Sequence, residues 1–208
     1  MIRLFRLIFR PELEWDTVVQ TKRSLGYIMG IHLLPVMLLA SIAEGTGMVL
    51  GRKWYAGAHG LKNFTVGEAM VWELMQILLM LLVIALCAYL IRLMGENFNS
   101  RYDYRQSLTL VIYSVNPLFL LQFMGAIPWI NLWVYWGIGV FISLGILYHG
   151  LPRILLTDPS HALGLYFISS IFLVLLTGAE RLIFIRCLNG QGLPIENLVY
   201  AIAARLPF

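Results

Sequence analysis

Polar and ionisable side chains inside long apolar runs are where this chain could do chemistry, because each is expensive to hold in hydrocarbon. His32 lies three residues before Pro35 in the first such run. A neutral imidazole bonded to a carbonyl freed by the proline is expected there, ahead of a proton relay. Glu73, beside Trp72, opens the second run, and Glu44 and Glu68 lie toward the same end. With His59 these carboxylates could bind a cation, but no ligand spacing selects a metal, so solvated acids at the interface are expected. Asn116–Pro117 is the sharper feature. Proline removes one donor and disfavours helical geometry at residue 116, so a kink is expected, with Asn116 bonded to a carbonyl or a neighbouring helix and Tyr113 one turn earlier. Tyr148, Gly150 and Pro152 read as a helix stop. His149, Asp158 and His161 make only a weak metal grouping. No phosphate loop, nucleophile elbow, HExxH or CxxC is present, so no catalytic set, metal or cofactor is expected. Cys87 and Cys187 suggest no disulfide framework.

The elements that would position these residues are membrane helices. Of 208 residues, 60% are hydrophobic and 12% charged, against roughly 25% charged in soluble domains. No Lys, Arg, Asp or Glu occurs between Arg105 and Arg153. A crossing helix needs roughly 20 apolar residues. Five such stretches fit, at about 24–43, 69–91, 106–126, 129–149 and 161–179. The expected fold is all-α, a polytopic bundle of five transmembrane helices forming one membrane domain over 24–188. Residues 1–23 precede it. Arg3, Arg6 and Arg10 alternate there with Leu and Phe, and no cleavage site follows, so an interfacial helix is expected rather than a signal peptide. A second short helix starts at Pro11, and the pair reads as a solvated collar. Residues 189–208 read as an amphipathic tail, and Trp54–Tyr55 in the glycine-rich first connection as an interfacial anchor. Gly26 with Gly30, and Gly139 with Ser143, are expected at close helix contacts, within the chain or between subunits.

Basic residues set the expected orientation. Arg3, Arg6, Arg10, Lys22, Arg23, Arg92, Arg101, Arg105 and Arg153 fall on one side if the spans alternate. Arg52, Lys53, Lys62, Arg181, Arg186 and Arg205 fall on the other. Nine against six places the N-terminus in the cytoplasm and the C-terminus outside. The basic balance, net charge +4, fits anionic headgroups rather than nucleic acid.

The landmarks RLIFRPELEWDTV, YSVNPLFLL and ISLGILYHGLPRIL, in this order, resemble the Yip family of five-span proteins, known as Rab/Ypt GTPase interactors, and most of all its bacterial inner-membrane branch. The matching positions are Pro11 with Trp15, Tyr113 with Pro117, and Tyr148 with Gly150, and the resemblance covers about residues 5 to 185. It implies five spans with the C-terminus outside. Eukaryotic members look like traffic adaptors that use a long cytoplasmic N-terminal region. Recruitment by that route is not expected of the short segment here, and the resemblance carries over no catalytic residues.

A lipid-modifying enzyme would need acids and histidines clustered at one leaflet, and the sequence shows only scattered ones, so two functions stand ahead of it. One is a non-enzymatic scaffold or accessory subunit in a cell membrane, with the bilayer and a membrane-protein partner or a second copy as its contacts. The other is a small transporter or channel using the kinked first and third spans.

Overall fold

The computed structural model describes residues 2–21, 23–50, 64–97, 103–127, 129–156, 159–188 and 202. The Trp54–Tyr55 anchor, His59, Pro128, Asp158 and the amphipathic tail, apart from Ile202, lie outside the described residues. Helix α1 spans Ile2–Phe9 and α2 spans Pro11–Thr21. Five helices long and apolar enough to cross a membrane follow, at Leu25–Leu50, Val66–Gly95, Tyr104–Ala126, Leu132–Leu155 and Ser160–Leu188. These are the first to fifth spans of a multi-pass, all-helical membrane protein.

Local chemistry explains their ends. Ser24 accepts from the Tyr27 amide where the first span begins, and Asn131 accepts from the Trp133 amide at the start of the fourth. Asp103 caps the third span, with the Gln106 side chain accepting from the Asp103 amide at 3.0 Å. The first span widens to π-helix over Ile28–Leu33, where the Leu34 amide donates to the Met29 carbonyl five residues back. This widening lies just before Pro35, whose ring would clash with a carbonyl in tight α-geometry.

The spans pack around the third. It lies against the first, second and fourth, the second packs on the fifth, and the fourth also meets the fifth. Close approach is set by glycines: a Cβ on Gly139 would come within 2.9 Å of Leu118. A Cβ on Gly47 would run into the Gly125 carbonyl oxygen, which joins the first span to the turn after the third.

Two expectations are corrected at this level. The N-terminal segment is no solvated collar: α2 packs on the fourth span, and Leu7, Trp15 and Val18 are buried in the core. Burial of one large ring outweighs the exposed Glu12 and Asp16 near it. The helix stop is not at Gly150. The fourth span runs through Pro152 to Leu155 and ends at Leu156, whose φ of 48° is left-handed. Gly150 instead makes room for Trp15, since a Cβ there would lie 2.5 Å from the indole and 2.8 Å from Leu110.

Candidate functional site

The most polar part of the interior lies in the half of the bundle remote from α1 and α2, and all five spans contribute to it. Glu44 of the first span is at its centre, 0% exposed. Its Oε1 accepts from Tyr135 Oη of the fourth span at 2.8 Å, and its Oε2 from Gln122 Nε2 of the third at 2.6 Å. Arg181 of the fifth span donates to Oε2 from Nη1 at 3.4 Å. Gln76 of the second span completes the ring. With its oxygen facing the donors, it accepts from Arg181 Nη1, from Arg181 Nη2 at 3.1 Å and from Gln122 Nε2 at 3.0 Å. Glu180 Oε2 lies 3.6 Å from Arg181 Nε.

Small residues admit these groups. A Cβ on Gly125 would press on Glu44 at 3.2 Å, and one on Gly45 would press on Glu73 at 3.3 Å. A cavity of about 20 Å³ remains, lined by Ser41, Gln76, Gln122, Tyr135, Glu180 and Arg181. That is room for one water molecule. The Glu44 carboxylate has both oxygens filled and is oriented as a tie rather than as a base facing a substrate. Its partners come from the third, fourth and fifth spans, and Gln76 of the second joins through Arg181 and Gln122, so this one cluster ties all five spans together.

Here the expected solvated acids are corrected: Glu44 and Glu73 are both buried. The first span runs to Leu50, beyond the expected end at 43, so Glu44 lies inside the helix. Glu68 is half-buried in the first turn of the second span, where it accepts from the Thr65 amide at 2.8 Å. Arg181, counted above among the outer cations, is 6% exposed and belongs to the core.

The other singled-out residues do not converge on this centre. His32 and Tyr113 meet in the opposite half of the bundle. The His32 ring lies 5.7 Å from both Tyr27 and Tyr113, and Trp15 stacks edge-on against Tyr113 at 5.7 Å. Asn116 donates from Nδ2 to the Ile112 carbonyl at 3.0 Å, on the turn before Pro117, and the third span continues through the proline. Tyr148 lies on the surface against Tyr166, and His149 faces Glu12 at 3.6 Å. Ser143 is buried beside the Gly139 contact. Gly26 and Gly30 are different again: a Cβ on either would meet nothing within 4 Å. Sequence reasoning missed Gln76, Gln122, Tyr135, Glu180 and Arg181. The available signal was an opposite-charge pair, Glu44 and Arg181, one near each end of the apolar region.

No curated protein and no solved structure matches the sequence. The family model of the Yip1 domain, however, matches residues 5–179. That interval holds Trp15 and its docking groove, the Glu44–Gln76–Gln122–Tyr135 cluster and most of all five spans, and the chain belongs to the Yip1-domain family.

Proposed function

We propose that this chain is a non-enzymatic scaffold or accessory subunit that associates laterally with another membrane protein or with a second copy of itself. We place it in a bacterial inner membrane with its N-terminus in the cytoplasm. The observation that carries the reading is the outward Gly26–Gly30 pair. Among the described residues these glycines serve no close contact, yet they leave a flat strip on the first span, flanked by exposed Tyr27 and Ile31. In hydrocarbon, association depends on close packing of such small residues rather than on a hydrophobic drive. The polar centre supports the same reading over transport, since both oxygens of the Glu44 carboxylate are taken up by Tyr135, Gln122 and Arg181.

The open space makes the test clean. Gly30→Leu should leave the melting temperature of the purified bundle unchanged while removing the partner or the second copy that purifies with the wild-type chain from native membranes. A wild-type chain that runs alone, or a variant that keeps its partner, would refute the proposal.

A further inference from the structure

The strongest unassigned feature lies at the end of the bundle that carries α1 and α2. A pocket of about 500 Å³ opens there between α2, the start of the first and third spans, and the end of the fourth. Three guanidinium groups from three separate segments line it: Arg23 before the first span, Arg105 in the first turn of the third, and Arg153 near the end of the fourth. Among the described residues Asp103 is the one carboxylate in the lining.

Each arginine is oriented by the protein from one side. Arg105 Nη2 donates to the Arg23 carbonyl at 3.0 Å, and the Arg23 guanidinium sits 4.4 Å above the Tyr27 ring. Arg153 donates from Nε to Asp16 at 3.1 Å and from Nη1 to the His149 carbonyl at 3.0 Å. A guanidinium carries five N–H donors, so these bonds position the forks and leave further donors for a ligand. The rest of the wall is largely apolar, and it ends at Leu156, an exposed leucine in left-handed backbone at the pocket rim. Strain of that kind persists where surrounding structure holds it, and it gathers at ligand sites.

We propose that this pocket holds the phosphate of an anionic phospholipid headgroup. The ligand chemistry is a phosphate oxyanion, which the arginine forks match. Its position at the ends of the spans, with Val18, Ile28 and Ile154 in the wall beside the arginines, selects a lipid over a soluble phosphate. The site goes beyond the scaffold reading and rests on the arginine pocket rather than on the Gly26–Gly30 pair, so either can fail without the other.

Native mass spectrometry of the full chain tests it. The chain is extracted from vesicles of phosphatidylcholine mixed with phosphatidylglycerol. The wild-type chain should retain phosphatidylglycerol in preference to phosphatidylcholine, and Arg23→Gln with Arg105→Gln should lower that retention at least about tenfold. Val19→Trp fills the pocket without changing charge and should lower it as well, which guards against a double variant that folds poorly. Arg92→Gln, exposed on the second span and outside the pocket, should change nothing. Equal loss with Arg92→Gln, retention in the pocket variants, or displacement of the lipid by inorganic phosphate alone would each overturn the assignment.

Discussion

At the scale of single residues, the Glu44–Arg181 pair is the most exacting contact in the molecule. A buried ion pair contributes little net stability compared with apolar packing, but breaking it strands a charge. Arg181→Met should therefore destabilise the bundle by about 3–5 kcal/mol, measured by reversible unfolding in mixed micelles. Adding Glu44→Gln to that variant should recover part of the loss, because the stranded carboxylate is gone while an amide still bonds Tyr135 and Gln122. A double variant whose loss equals the sum of the two single losses would show that the pair is not coupled. The reason this centre was hard to read is physical. Charges usually mark where an apolar helix leaves the membrane, so Glu44 and Arg181 looked like span ends. The first and fifth helices run on to Leu50 and Leu188, which moves both charges inside. Gln76 and Gln122 carry no charge and gave no warning; only the fold brings Gln122 to Glu44 across 78 positions.

At the scale of elements, the notable join is between α2 and the fourth span. Trp15 is 0% exposed, donates from its indole nitrogen to the Ile146 carbonyl at 3.0 Å, and fills the notch left by Gly150. Trp15→Ala removes a fully buried ring and should cost about 3–5 kcal/mol. Gly150→Val should reach the same end from the other side, because the added carbons fall on the indole. Both variants should expose α1 and α2 to limited proteolysis, whereas Gly145→Val, built into open space, should not. If Gly150→Val leaves the segment as protected as in the wild-type chain, the notch does not hold it. The five spans were legible because their apolar runs are long and nearly free of charge. The docking of α2 was less so, since Glu12, Glu14 and Asp16 give the segment a surface composition and the single tryptophan decides its place. The stop expected at Gly150 failed for a related reason: glycine and proline break helices on average, but here the glycine is spent on a packing contact and the helix continues to Leu155.

At the scale of the whole molecule, the proposed orientation rests on a count of cations in the sequence, and the structure takes one of them out of that count. The nine basic residues assigned from the sequence to the side of α1 stay in the count. Of the six counted opposite it in the sequence, Arg181 lies in the core, which leaves five in the count: Arg52, Lys53, Lys62, Arg186 and Arg205. The asymmetry sharpens, and it strengthens the proposal that α1, α2 and the arginine pocket face the cytoplasm, where anionic lipid and positive loops coincide. Both native cysteines are buried, so introduced thiols report sidedness with little background. Leu50, 87% exposed at the end of the first span, and Glu12, exposed on α2, stand at opposite ends of the bundle. An impermeant maleimide applied to intact spheroplasts should label Leu50→Cys and spare Glu12→Cys until the membrane is opened. The reverse pattern would invert the protein. It would also put the arginine pocket in the outer leaflet, where the pull of anionic cytoplasmic lipid is absent and the nine-to-five asymmetry would have to be maintained against the usual direction of insertion.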